Sequence, residues 1–191
     1  MKRSVAAIAA IVITSLLMGC AETNNPVSAP SAGNSPSVSI LDLPESASHS
    51  MAKVSDPVVI TPQDGGIVTV TNAYMTPSGK SVSVTMKLTF DPGTVTAPTT
   101  VTIALADRKA MADFSPSGTV FKKPVHLDAD ITGLNFTGLS ASAKLALYYL
   151  SGSSVEKMSV DNLTWDAATG TLQCRGGVIP HFSIYGFGFT K

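Results

Sequence analysis

Few side chains in this 191-residue sequence could do chemistry, and they are scattered. His181 and Ser183 flank Phe182 near the C-terminus. In a strand, residues i and i+2 share a face, so the imidazole would approach the hydroxyl, which is the geometry that general-base activation of a serine needs. Asp128 and Asp130 alternate in the same way. Calcium wants six or more oxygens, so two carboxylates at a strand end are read as solvated rather than as a site. The two cysteines, Cys20 and Cys174, together with His126 and His181, have no zinc-like spacing. No metal and no cofactor is expected. Trp165, just before the turn Asp166 to Gly170, offers an indole for stacking on a sugar, although a tryptophan at a hairpin mouth also packs on its cross-strand neighbour. No complete catalytic constellation emerges, and the chain reads as a non-enzyme.

The elements that must position these residues are strands. "SVSVTMKLTF" sets Val82, Val84, Met86, Leu88 and Phe90 on one face and Ser81, Ser83, Thr85, Lys87 and Thr89 on the other, a period of two over ten residues. "GIVTVT", "TTVTIAL", "TVFKKPVHLDADI", "AKLALYYL", "VEKMSV", "TLQCRGG" and "SIYGFGF" read the same way, with turns at Asp91-Pro92-Gly93, Ser115 to Gly118, Ser151 to Ser153 and Asp166 to Gly170. Only "RKAMADF" suggests a helical turn. Many short strands with almost no helix indicate an all-β, antiparallel sandwich over residues 57–191. Pro124 lacks an N–H, so its strand should be an edge there, or bulged, and Lys122 and Lys123 beside it read as guards against edge pairing. Cys174 alternates with Leu172 and reads as a buried core thiol.

The N-terminus has a different character. Lys2 and Arg3 precede an apolar stretch from Val5 to Met18. Fourteen residues at ~1.5 Å each fall short of a ~30 Å hydrocarbon core, so the stretch reads as a signal sequence. It ends in Leu17-Met18-Gly19-Cys20, which resembles the lipobox of bacterial lipoproteins. The resemblance implies cleavage between Gly19 and Cys20 and a lipidated Cys20, with residues 1–19 as the removed signal peptide. One acyl chain anchors only marginally and two or three hold firmly, so membrane lipid is the expected partner of Cys20. Ala21, in place of an Asp, implies sorting within the cell envelope to the outer membrane. Residues 20–56 then read as the lipidated cysteine and a flexible tether rich in Ser, Ala, Pro and Asn, too polar to offset the entropy of ordering. Within it, "SILDLPE", Ser39 to Glu45, reads as a solvated segment, with local docking of its short apolar patch as the alternative.

Three stretches of the remaining chain, in order, carry a second resemblance: "MKLTFDPGTVTAPTTVTIAL", "FSPSGTVFKKPVHLD" and "HFSIYGFG". With Gly65-Gly66 before them they are similar to the ZU-five domain, a β-sandwich of ankyrins, the zona occludens protein, netrin receptors and bacterial surface proteins. In some animal relatives a His-Phe-Ser triplet is a self-cleavage site. By that likeness Ser183 would be the nucleophile, the Phe182 carbonyl its target and His181 the base. Such attack needs a twisted peptide and a stabilised oxyanion, for which the sequence has no signal. The animal self-cleavers also carry a further domain after the triplet, whereas this sequence ends eight residues after Ser183.

Without Lys2 and Arg3 the chain has 11 basic against 13 acidic side chains, a formal charge of −2. That balance argues against a nucleic-acid partner. The reading is an envelope lipoprotein whose sandwich is a non-catalytic binding or structural module, with an unnamed protein or glycan partner. The rivals are a self-processing domain cut between Phe182 and Ser183 and a carbohydrate-binding module using Trp165.

Overall fold

The computed structural model describes residues 37–48, 52–137, 139, 143–152 and 154–190. Cys20, Gly19, the signal segment and the tether up to residue 36 lie outside the described residues. The described chain belongs to one compact unit beginning at Pro36. Among the described residues there is no helix, and none long and apolar enough to cross a membrane.

Thirteen strands form two antiparallel sheets. In chain order they are β1 (Val38–Ile40), β2 (Lys53–Val54), β3 (Val58–Ile60), β4 (Gly66–Met75), β5 (Ser81–Phe90), β6 (Thr99–Leu105), β7 (Met111–Ser115), β8 (Val120–Thr132), β9 (Leu145–Ser151), β10 (Ser154–Lys157), β11 (Asn162–Asp166), β12 (Thr171–His181) and β13 (Ile184–Thr190). One sheet runs β10-β9-β13-β7-β6-β2, with β1 also on β13 and β3 also on β6. The other runs β11-β12-β8-β5-β4. The all-β sandwich is therefore the observed architecture. β5 alternates as its sequence requires: Val82, Val84, Met86, Leu88 and Phe90 are all buried, the last four in one core with the opposite sheet's Val101, Ile103 and Phe114. Gly118 takes a φ of 81° where the chain reverses between β7 and β8, a conformation closed to most side chains.

Three expectations are settled, that for Pro124, an edge or a bulge, within its own alternatives. The segment "RKAMADF" is not a helical turn: Met111–Ser115 is β7, hydrogen-bonded between β6 and β13. Pro124 is not on an edge strand, because β8 lies inside its sheet. It falls instead in a bulge. Ile179 pairs with Val125 but His181 pairs with Val120, so one residue of β12, Pro180, faces four of β8, Phe121 to Pro124, and the pairing of β5 ends at His126. The missing N–H of Pro124 thus costs no ladder bond, and Lys122 and Lys123 tie the bulge to the 92–94 loop rather than guarding an edge: Lys122 N–H donates to Thr94 O (3.2 Å) and Lys123 Nζ to Pro92 O (2.8 Å).

The third moves the domain boundary. Residues 38–48, read as tether, are a strap laid on the sandwich. β1 pairs with β13 from Val38↔Thr190 to Ile40↔Gly188, on the same side of β13 that β7 occupies lower down. Leu41 N–H donates to Phe187 O and Leu41 O accepts from Ala110 N–H, each at 2.9 Å. Leu41 and Leu43 are buried in the core. Leu43 N–H donates to the carbonyl of Arg108, which takes a φ of 57°, the only positive φ outside glycine among the described residues. Beyond the strap, Ser55 bridges the break between β2 and β3: its N–H donates to Ile103 O, and its Oγ accepts from Ile103 N–H at 3.0 Å.

Candidate functional site

The triplet His181-Phe182-Ser183 sits where the chain leaves one sheet for the other. β12 ends at His181, Phe182 and Ser183 form a bend, and β13 begins at Ile184 in the opposite sheet. Backbone bonds hold the bend on several sides. Phe182 N–H donates to Thr119 O (2.8 Å), Gly118 N–H donates to Phe182 O (3.0 Å) and Phe114 N–H donates to Ser183 O (3.0 Å). The Phe182 ring is 1% exposed. It meets Phe121 edge-on at 4.7 Å and Phe90 edge-on at 6.0 Å, with Phe114 at 6.1 Å.

This bend undoes the expected pairing of His181 with Ser183. The shared face of residues i and i+2 requires both to be in one strand, and the strand stops at the histidine. The His181 imidazole instead belongs to two tyrosines. Tyr149 lies against it edge-on at 4.6 Å, and Tyr185 Oη donates to the His181 carbonyl at 2.8 Å while standing 3.3 Å from Nδ1. Burial above all, then the nearby Tyr149 and Glu156, pushes the Tyr185 phenol well above its ordinary range, so it stays protonated and serves as a donor. Among the described residues no side-chain hydrogen bond joins His181 to Ser183. Tyr185 was not legible as a partner, because its spacing of four from His181 becomes contact only across a bend between sheets.

The other candidates are each engaged elsewhere. Asp128 Oδ2 pairs with Lys87 Nζ at 2.7 Å, and Asp128 Oδ1 accepts from Gly176 N–H at 3.1 Å. Burial works to raise its carboxyl, but the bonds from Lys87 and Gly176, with the charges of Lys87 and Arg175, outweigh it and hold the group below the usual carboxylate range. Asp130 pairs with Arg175 at 2.7 Å. The two carboxylates therefore meet two separate cations. Trp165 packs on Phe136 with ring centroids 5.0 Å apart, on the side of β11 that faces the core through its partners Leu172 and Cys174. Cys174 is fully buried, and burial, chiefly, pushes its thiol up to about 12. A groove of about 280 Å³ lies between the strap and the turns at Pro77 and Arg108. Its charged residues include Glu45 and Arg108, which meet at 2.6 Å.

No family model, curated protein or solved structure matches this chain. What the site can do rests on its own geometry: a hydrogen-bonded corner plugged by an aromatic ring, with the histidine held by two tyrosines.

Proposed function

We propose that this chain is a bacterial envelope lipoprotein, anchored through Cys20, whose sandwich is a ZU-five-like binding or structural module without catalytic machinery. The observation that carries the reading is the sequence Leu17-Met18-Gly19-Cys20 at the end of an apolar stretch that two cations precede. The strap supports it physically. With the fold beginning at Val38, 17 residues from Ala21 to Ser37 separate the lipid from the sandwich. At ~3.6 Å per residue they hold the domain within about 60 Å of the bilayer. Such a leash suits a module that works close to its own membrane.

Metabolic labelling with palmitate should mark the chain, and Cys20→Ser should abolish the label and shift the protein from the membrane to the soluble fraction. An unlabelled chain, or a variant retained as firmly as the parent, sinks the reading. The non-catalytic half has its own test. Two observations support it: the Phe182 carbonyl accepts from Gly118 N–H, and among the described residues no side-chain hydrogen bond joins Ser183 to His181. The denatured protein should therefore show an intact mass through Lys191, and loss of a fragment from Ser183 to Lys191 would make the triplet a self-processing site.

A further inference from the structure

Among the described residues the edge strands are not alike, and β1, paired with β13 alone, is only three residues long. β10 is four residues long and carries Glu156 and Lys157; β2 and β3 are two and three residues long, broken at Pro57 and carrying Lys53; β11 is five residues long and ends at Asp166. Shortness, charge and proline are the usual defences of an edge. β4 has none of them. It runs ten residues, GIVTVTNAYM, with neither a charge nor a proline, and pairs with β5 alone.

Its two ends are already occupied. Gly65 N–H donates to Thr61 O and Met75 O accepts from Ala47 N–H, both partners outside the β4–β5 ladder. Residues of this parity therefore turn their backbone polar groups away from β5, and between the two plugs they are Ile67, Thr69, Thr71 and Ala73. Among the described residues no backbone bond from outside that ladder reaches Ile67, Thr69 or Thr71. The side chains of all four are exposed on the outer face.

We propose that this edge is the interface of a two-fold dimer, β4 against β4 of a second copy, with the axis at Val70. The occupied ends define the register, because Val70 lies midway between Gly65 and Met75. Antiparallel pairing about it sets Thr69 opposite the partner's threonine 71, and Ile67, 56% exposed, opposite the partner's alanine 73. The pairing is self-complementary: hydroxyl meets hydroxyl, extending the existing Thr71–Thr85 contact at 3.1 Å, and a large side chain covers a small one. The buried Val68 and Val70 continue the inner face across the seam, so two five-stranded sheets become one of ten.

Sedimentation velocity over a concentration series tests this on the unlipidated chain from Ala21 onward, which contains both sheets and the whole core. The parent should shift from one chain to two. Thr69→Lys/Thr71→Lys, which sets like charges opposite each other in both pairs, should stay monomeric with unchanged circular dichroism. Thr69→Lys/Thr71→Glu, which sets opposite charges there, should dimerise again. A parent that stays monomeric at every concentration, a double-lysine variant that still dimerises, or a Lys/Glu variant that does not, each overturns the proposal.

Discussion

Phe182→Ala should remove about 3–5 kcal/mol of folding stability, the range for deleting a buried phenylalanine. The ring is 1% exposed and is touched by Phe90 from β5, Phe114 from β7 and Phe121 from β8, so its loss leaves a cavity at the one place where three strands from both sheets converge on a corner. The backbone there cannot collapse inward to fill it, because Phe182 N–H and O are bonded to Thr119 and Gly118. Domains have only about 5–15 kcal/mol in reserve, so the melting temperature should fall by on the order of 10 °C. Ser183→Ala, one residue away, should cost under about 0.5 kcal/mol, since its hydroxyl has no described side-chain partner. Chemical denaturation of both variants separates the two roles. A Phe182→Ala loss below about 1 kcal/mol would show that the corner is not what joins the sheets.

How far these features were legible depends on where the deciding contacts lie. β5 and β6 were readable because their alternation is local: each apolar residue of "SVSVTMKLTF" is buried whatever strand it faces. β7 was not. Lys109, Ala110, Met111 and Ala112 favour helix by propensity, and it is the ladder partners Thr102–Leu105 and Ile184–Gly186, remote in sequence, that draw the segment into a strand. The bulge at Pro124 was half legible, since a missing N–H announces an irregularity without saying whether the strand is outermost or interior. The His181–Ser183 expectation failed for a reason that lies outside the triplet: periodicity assumes a strand that continues, and this one crosses between sheets.

The strap was half legible, since the apolar patch "SILDLPE" allows local docking while the composition around it reads as tether, its partners on β13 being remote in sequence, and Gly188→Val exposes what holds it. Gly188 pairs with Ile40, and a Cβ at position 188 would lie 2.6 Å from Ser39 O and 3.1 Å from Ile40 Cδ1. The first contact is with backbone, which has no rotamer to yield, so β1 must lift. Lifting frees Leu41 and Leu43, whose burial is worth about 1.5–3 kcal/mol apiece. Against that stands the conformational entropy of ordering the strap, which is regained when it lifts, so a clash with rigid backbone at β1 should favour release. The expected result is selective. Hydrogen exchange at Leu41 and Leu43 should rise to that of an open chain, and proteases should cut between residues 37 and 48. The two sheets should still melt cooperatively, because β13 keeps its ladders with β9 and β7. Unchanged protection of Leu41 in the variant would mean that the strap is seated by something other than the groove at Gly188. If the strap lifts as expected, then under the proposed anchoring through Cys20 one buried glycine would limit the reach of the sandwich, with 32 residues between Cys20 and β2 in place of the 17 that precede β1.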